Sequence, residues 1–258
     1  MIVLVTGSAG FVGKHTVRAF EDRGDEVIQA DKVTGQDLTL PIEPWHPTPD
    51  VIVHLAATCS TSGSIRDPMT TFRDTVLSAV NVLEAARIPR IPVIVTSSVK
   101  ARDGMTPYGA AKRMVELWAT EYRTAYNLPV VINRPGTIYG PGQEGSPESG
   151  WISWFLKAKA EGFPIVVNGD GQQMRDLLHV SDYVRLLVKQ ATNPDRYNTG
   201  TIYDVGGGAR NAVTVNEIVE YLGLTHTYGP ERYGDAKEYI GLNNVADWSP
   251  AVKWQDEL

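Results

Sequence analysis

The chain has 258 residues, of which 42% are hydrophobic and 21% charged, as in ordinary globular proteins, and this length suffices for a large α/β domain with a smaller cap. Its net charge of −6 argues against a surface that binds nucleic acid or an anionic membrane. The single cysteine, Cys59, excludes an intramolecular disulfide and a cysteine-based zinc site, and no metal site is predicted.

No apolar run reaches the length of a membrane span, and the first predicted strand begins at Ile2. We therefore expect no transmembrane helix and no signal peptide, and we place the protein in the cytoplasm.

A predicted buried strand at residues 2–5 leads into a glycine-rich turn and then into a helix that continues to about residue 23. Gly7 allows the tight turn, Gly10 lets backbone N–H groups approach a pyrophosphate, and Gly13 lets helix and strand pack closely. The helix N-terminus then faces the anion, which predicts a dinucleotide site. The same turn contributes three further expected contacts, Ala9, Phe11 and Val12.

A second predicted strand, residues 26–31, ends at Asp31. A carboxylate at this place suits a ribose 2′-OH and would repel a 2′-phosphate, so NAD is favoured over NADP. Lys32 follows it, and we interpret Asp37 and Leu38 as a loop pair near the adenine. Four prolines between residues 41 and 49 argue against a regular crossover helix in this segment.

The next predicted strands are residues 51–55 and 91–96, separated by a helix over about 67–87. The small residues after the first strand suit a dinucleotide, whereas His54 is predicted to be a buried core histidine. Repeated strand–helix alternation predicts a doubly wound parallel sheet, in which ligands bind at the carboxyl ends of strands. At those ends lie Leu55, Ala56, Ala57, Thr58, Thr96, Ser97 and Ser98.

Tyr108 and Lys112 lie four residues apart on a predicted helix and therefore on one of its faces. The Lys112 ammonium can lower the pKa of the Tyr108 phenol, which would make that phenol a proton-transfer group near neutral pH. A serine hydroxyl from the preceding strand end can hydrogen-bond the oxygen whose proton moves.

Later segments add further ordered motifs, among them 133–142, 169–182, 203–208 and 232–250. With the glycine-rich turn, Asp31, Ser98 and Tyr108-x-x-x-Lys112, they make the chain resemble the extended short-chain dehydrogenase/reductase family. The resemblance extends over nearly the whole chain and is to its NAD-dependent sugar-nucleotide epimerase/dehydratase branch, which is UDP-glucose 4-epimerase-like. It implies a Rossmann-type doubly wound parallel sheet with a small, discontinuous C-terminal cap that binds substrate.

The same resemblance implies roles for individual residues. Tyr108 would be the acid/base, Lys112 would hold the nicotinamide ribose, and Ser98 would hydrogen-bond the reacting sugar oxygen, with Ser97 as the other candidate. Arg134 and Pro135 would lie beside the nicotinamide.

On the substrate side, Arg175 and Arg232 would clamp a diphosphate, for which a bidentate guanidinium is well suited. Asp235 would touch the nucleoside ribose, and Thr137 stands in the substrate pocket where the family often has asparagine.

The reaction implied is NAD-dependent epimerisation of a nucleotide-diphosphate sugar, at C4 of a UDP-hexose or a similar dTDP-hexose, through a transient 4-keto sugar. A 4,6-dehydratase or decarboxylase is the nearest alternative. The resemblance implies that enzymes of those groups carry an acidic residue just after the catalytic hydroxyl, where this chain has Val99 and Lys100. Asp31 disfavours an NADP reductase. A non-catalytic NAD-binding scaffold or redox sensor would not need Ser98, Tyr108 and Lys112 together.

The chain departs from the family pattern in three places. The loop between Ser98 and Tyr108 is shorter than usual, so the identity of the sugar does not carry over. Thr75 replaces a usual asparagine, and the short chain points to a trimmed cap.

We predict a nucleotide domain of residues 1–140 plus about 176–205, and a cap of about 141–175 plus 206–258. Residues 176–180, 181–190 and 201–205 are predicted to return to the main sheet, and Trp151, Trp154 and Phe155 to serve packing. The helices at 67–87 and 108–126 resemble the family's dimer surface, with Val76, Val80 and Leu83 as an apolar stripe, so a homodimer is expected.

Overall fold

The computed structural model describes residues 1–241 and 243–258. Its strands are β1 (Ile2–Thr6), β2 (Glu26–Ala30), β3 (Val51–His54), β4 (Val93–Thr96), β5 (Val130–Pro135), β6 (Thr137–Tyr139), β7 (Ile165–Asn168), β8 (Met174–His179), β9 (Ile202–Val205), β10 (Ala212–Thr214), β11 (His226–Gly229) and β12 (Glu238–Tyr239).

Its α-helices are α1 (Phe11–Glu21), α2 (Thr61–Arg66), α3 (Pro68–Thr71), α4 (Ser78–Arg87), α5 (Pro107–Tyr126), α6 (Trp151–Glu161), α7 (Val180–Thr192), α8 (Pro194–Tyr197) and α9 (Val215–Leu222). A π-helical segment, Phe72–Leu77, joins α3 to α4, so the predicted helix at 67–87 is present but is wider in its middle.

The central sheet has six parallel strands in the order β2-β1-β3-β4-β5-β9. Successive residues of β1 face opposite sides, because Leu4 packs into one buried cluster while Val3 and Val5 pack into another. Both faces are therefore buried, as a parallel sheet requires. This is the Rossmann-type doubly wound sheet that the sequence predicts.

Helices cover the two faces of this sheet. On one side, α4 and α5 bury Val82, Leu83, Val115 and Ala119, and on the other α1 and α7 bury residues such as Phe20. The carboxyl ends of β1, β3 and β4 are left open at one edge, and this edge carries the site described below.

The second part of the molecule contains two further sheets. In one, β8 pairs with β6, β10 and β12, and in the other β7 pairs with β11. The prediction that residues 176–180 join the main sheet is therefore wrong, because β6 and β10 supply the backbone partners of β8 instead. The prediction for residues 201–205 is confirmed, since β9 forms an edge of the main sheet.

A third apolar cluster holds the cap together, and it includes Phe155 of α6, Leu177 of β8 and Ile218 of α9. Helix α9 begins at the predicted capping box, in which Thr214 and Glu217 bond each other's backbone. The tail divides between the two parts, since Val245 and Trp248 pack into the core of the nucleotide domain and Trp254 packs into the cap. The C-terminal end of the predicted cap range, 206–258, therefore includes residues that pack against the nucleotide domain.

Candidate active site

The glycine-rich turn after β1 has a backbone conformation with no room for a side chain at its glycine positions. Gly7 has φ of +66°, and a Cβ on Gly13 would lie 2.0 Å from the carbonyl oxygen of Gly7. Gly10 is the N-cap of α1 and has no side chain to satisfy the first N–H groups of the helix. The turn therefore presents helix N–H groups to an open cleft, which fits an anionic pyrophosphate. Phe11 and Val12 form the first helical positions and are half-buried.

Asp31 lies across from this turn at the end of β2. Its carboxylate accepts hydrogen bonds from the backbone N–H of Ala9 at 3.0 Å and of Val33 at 3.0 Å. Both bonds come from the main chain, and Asp31 lines the cleft. This position suits hydroxyl groups of a ribose.

The cleft next to Asp31 has a volume of about 200 Å³. Lys32 lines it and reaches Asp37 at 3.4 Å and Asp74 at 3.2 Å. Sequence reasoning missed Asp74 and Ser78, which face the cleft from the long helix four residues apart, a spacing that could have indicated a shared face. The residues that line the cleft are Gly7, Gly10, Asp31, Lys32, Gln36, Asp37, Leu38, Thr39, Leu55, Ala56, Ala57, Asp74 and Ser78.

The small residues after β3 approach the glycine turn closely, since a Cβ on Gly7 would lie 2.7 Å from the backbone N of Ala56. Thr58 lies beyond them, where its backbone N–H and hydroxyl contact the Thr75 hydroxyl at 3.3 and 3.2 Å. Thr75, which stands where the family usually has asparagine, thus fastens this loop to the π-helical segment.

A second, larger pocket of about 730 Å³ opens beside the ends of β4 and β6, between the central sheet and the cap. Ser98 and Tyr108 both line it, as do Thr137, Arg175, Arg232 and Asp235. The predicted catalytic hydroxyls and the predicted substrate residues therefore meet in one cavity.

Burial raises the pKa of Tyr108 to about 12, while the nearby Ser98 hydroxyl acts in the opposite direction. The sequence predicts a pKa lowered by Lys112, but burial is the largest influence in the structure. A phenolate at neutral pH therefore needs a cation close to it.

Lys112 is buried one helical turn beyond Tyr108, and its ammonium donates to the backbone oxygen of Thr96 at 2.8 Å. Burial lowers the pKa of Lys112 to about 8, so this cation is already poorly solvated. His54 beneath it is bonded to the Thr6 hydroxyl at 2.8 Å, and burial lowers the pKa of His54 to about 3. His54 is thus the neutral core histidine that the sequence predicts.

Glu116 binds both Ser97 and Arg134. Glu116 is buried on α5, where it accepts from the Ser97 hydroxyl at 2.5 Å and from two Arg134 nitrogens at 2.6 Å each. Ser97 therefore points away from the pocket, and Ser98 is the serine that faces it. Arg134 joins β5 to α5, and neither Arg134 nor Pro135 lines either cavity.

Arg175 is buried in the wall of the pocket. It donates to the Asp235 carboxylate at 2.5 Å and to the backbone oxygen of Ala236 at 2.9 Å, and its guanidinium lies 4.9 Å from the centroid of the Tyr239 ring. Arg232 is exposed at the mouth and donates to the backbone oxygen of Pro147 at 2.5 Å. One predicted clamp residue is therefore paired with an acid, while the other contacts neutral backbone.

Sequence reasoning missed several side chains of this pocket. Arg66 and Glu148 form a two-point ion pair with distances of 2.5 and 2.7 Å, which joins α2 to the loop before α6. Lys100 lines the pocket two residues after Ser98. Cys59 is exposed and also lines the pocket.

Within residues 1–241 and 243–258, no group of three His, Cys, Asp or Glu side chains is placed to hold a metal ion. Over the same residues, no helix combines the length and the apolar character that crossing a membrane would need.

The comparison with protein families matches residues 3–206 to the model of the NAD dependent epimerase/dehydratase family. One relative is a UDP-glucose 4-epimerase from Mycolicibacterium smegmatis, which is 29% identical over 302 aligned positions that cover 98% of this chain and 94% of the relative. A dTDP-glucose 4,6-dehydratase from Streptomyces griseus is 28% identical, with 99% and 91% covered.

Among solved structures, the UDP-glucose 4-epimerase of Thermus thermophilus in complex with NAD is similar over 100% of this chain and 96% of its own, with a TM-score of 0.86 and 26% identity. The sequence alignments are longer than this chain of 258 residues, so the relatives carry internal segments that are missing here.

Proposed function

The chain belongs to the NAD-dependent epimerase/dehydratase family, and from that premise we propose that it is an enzyme that inverts C4 of a nucleotide-diphosphate hexose, a UDP-hexose or a close analogue, through a transient 4-keto sugar. The observation that carries the proposal is the pocket in which Ser98 and Tyr108 share a wall. The carboxylates of its described lining, Glu148 and Asp235, are both held by arginine.

The cofactor is NAD, whose nicotinamide accepts a hydride from the sugar and returns it. The residues that fit its dinucleotide are the glycine turn, Asp31 and the small residues after β3. Asp31 would hold ribose hydroxyls, and the first N–H groups of α1 would face the pyrophosphate.

The proton steps belong to Tyr108. As phenolate, its oxygen takes the proton of the 4-hydroxyl, and it returns the proton after the sugar has turned over. Ser98 hydrogen-bonds the same sugar oxygen and lowers the pKa of Tyr108 against the rise that burial imposes. Lys112, one helical turn away, is the cation that would stabilise the phenolate further.

The other end of the pocket binds the nucleotide. Arg232, at the mouth, and Arg175, in the wall, are the guanidiniums available to a diphosphate. Asp235, which Arg175 bonds, would contact the nucleoside ribose, and Thr137 would line the sugar side. Since Arg175 already bonds Asp235, substrate binding would divide that guanidinium between carboxylate and phosphate.

The residues around Ser98 favour epimerisation over 4,6-dehydration or decarboxylation. Elimination of water from a sugar requires an acid to protonate the departing hydroxyl. Val99 and Lys100 follow Ser98, and the pocket carboxylates of the described residues are engaged with Arg66 and Arg175. A reductase that consumes NADPH would meet Asp31 at the place of the 2′-phosphate.

We also propose a homodimer. Val76 and Leu83 of the predicted stripe are buried against the sheet and cannot form its interface. Exposed hydrophobic side chains of these segments lie elsewhere: Met69, Phe72, Leu77, Met114, Leu117, Trp118 and Tyr126. Light scattering at micromolar concentration should give twice the monomer mass for wild type and the monomer mass for Trp118→Glu, whereas a monomeric wild type would contradict the proposal. The cytoplasmic location stays a prediction.

Proton NMR of the protein with NAD and a panel of UDP- and dTDP-hexoses tests the proposed reaction. The expected result is the appearance of the C4 epimer of one sugar, without added reductant. A keto-deoxy or decarboxylated product would instead show a dehydratase or decarboxylase. If NAD binds and no sugar in the panel changes, the result would favour a non-catalytic NAD-binding protein over an epimerase.

A further inference from the structure

The backbone of Lys100 lies close to Ser98, the predicted catalytic serine. A short 3₁₀ turn, Val99–Ala101, follows Ser98, and the Ser98 hydroxyl accepts from the backbone N–H of Lys100 at 3.3 Å. This bond fixes the start of the Lys100 side chain relative to Ser98, and the side chain then lines the substrate pocket.

The ammonium group of Lys100 contacts only neutral partners. It donates to the Thr61 hydroxyl at 3.0 Å and lies 5.2 Å from the centroid of the Tyr239 ring. Within the described residues, no carboxylate lies within 4.0 Å of it. An ammonium has three donors, and a half-buried cation without an anion is costly. Burial lowers the pKa of Lys100, the charges of Arg175 and Arg232 lower it further, and the more distant carboxylates of Asp235 and Asp103 oppose this.

The charges that line the pocket do not balance. Arg66 is neutralised by Glu148 and Arg175 by Asp235, each at 2.5 Å. Among the described residues, neither Arg232 nor Lys100 has a carboxylate within 4.0 Å, in a chain whose net charge is −6. Arg232 suits the diphosphate at the mouth. Lys100 starts beside Ser98 and its ammonium ends over the Tyr239 ring, which Arg175 also contacts, so its surplus charge stands between the catalytic serine and the diphosphate end.

We propose that Lys100 determines specificity by binding an acidic group on the sugar itself, so that the substrate is a nucleotide-diphosphate hexuronate whose C6 carboxylate pairs with Lys100. The proposal rests on the proposed function, in which Ser98 bonds the oxygen on C4. C6 is attached to C5, the ring neighbour of C4, so its carboxylate lies near a side chain that starts two residues from Ser98. A neutral hydroxymethyl group would leave the ammonium unpaired.

The test is calorimetric binding to the NAD-loaded protein of UDP, UDP-glucose and UDP-glucuronate, and of the corresponding dTDP compounds. Wild type should bind the hexuronate more tightly than the hexose. Lys100→Met should weaken hexuronate binding by about tenfold to a hundredfold, as expected for loss of a charged hydrogen bond, and should leave UDP binding within about twofold. Lys159→Met makes the same change at an exposed lysine of α6 and should alter nothing.

The remaining outcomes of the binding experiment contradict either the role of Lys100 or the proposed function. Equal affinity of wild type for hexose and hexuronate would reject the inference while leaving the epimerase proposal intact. Equal weakening of UDP and hexuronate by Lys100→Met would assign Lys100 to the diphosphate and reject it too. If no nucleotide binds although NAD does, the proposed function itself fails. Lys100→Arg, which retains the charge, should keep the hexuronate preference if Lys100→Met does not fold.

Discussion

The two cavities of this molecule hold their charged groups in different ways. In the NAD cleft, the Asp31 carboxylate is fixed by two backbone N–H groups, and the glycine turn offers N–H groups without side chains. In the substrate pocket, the charges are fixed by other side chains from distant parts of the chain, as in Arg66–Glu148 and Arg175–Asp235.

This difference separates what binds the cofactor from what selects the sugar. Backbone groups change little when side chains are replaced, so the chemistry of the cleft depends little on the side chains that contact the sugar. Side-chain pairs can be rebuilt one residue at a time, so the pocket is where specificity changes. Mutations in the pocket should therefore alter turnover and sugar choice while leaving NAD binding unaffected.

The largest expected effect tests this separation directly. Tyr108→Phe removes the proton-transfer group and should lower kcat by about 10³-fold or more, with the NAD dissociation constant unchanged. Steady-state kinetics and NAD titration measure the two quantities. Tyr126→Phe, on the same helix but exposed, serves as the matched control. Retained activity in Tyr108→Phe would refute the assignment.

A second variant asks whether Arg134 belongs to the cofactor site or to the framework. Arg134→Met leaves the buried Glu116 carboxylate without its partner and should lower the free energy of unfolding by about 3–5 kcal/mol. Arg18→Met, which loses only an exposed pair with Asp22, should cost less than about 1 kcal/mol. Urea denaturation measures both. Unchanged stability together with weaker NAD binding would restore the nicotinamide role.

The pH dependence of turnover tests the link between Lys112 and Tyr108. The base must be deprotonated, and burial raises the pKa of Tyr108, so kcat should increase with pH. Lys112→Met removes the nearby cation, which raises the phenol pKa further and should shift the rising limb to higher pH by on the order of one unit. A shift towards acid, or none, would argue that Lys112 does not act on Tyr108.

The smallest of these effects concerns the choice between dinucleotides. Asp31→Ala removes the carboxylate that favours a ribose hydroxyl, so the ratio of NADP to NAD dissociation constants should fall by roughly tenfold. Asp22→Ala, an exposed acid just beyond α1, is the control. An unchanged ratio would mean that the backbone, and not Asp31, sets the preference.

The NAD cleft could be predicted well because its determinants are local. Gly7, Gly10 and Gly13 stand at fixed spacing between a strand and a helix, and the structure shows why side chains are excluded there. Strand β8 was harder to place, because strand propensity identifies an extended segment without naming its partner. Here β8 pairs with β6 and β10, outside the main sheet.

The substrate pocket could be predicted only in part because its partners are remote in sequence. Ser97 and Ser98 are adjacent and chemically identical, and only the position of Glu116 decides which of them faces the pocket. One signal was available, since Tyr108, Lys112 and Glu116 are spaced by four and therefore share a helix face. Nothing local indicates the pairing of Arg66 with Glu148 or the isolation of Lys100.

The most direct test of the central claim is the reaction of wild type with its nucleotide sugar in D₂O, followed by proton NMR and mass spectrometry. The account predicts a C4 epimer with no carbon-bound deuterium, because the hydrogen on C4 leaves and returns as hydride while Tyr108 exchanges only oxygen-bound protons. A product that carries deuterium on a ring carbon, or that has lost water, would contradict it, because a proton would then have been removed from carbon.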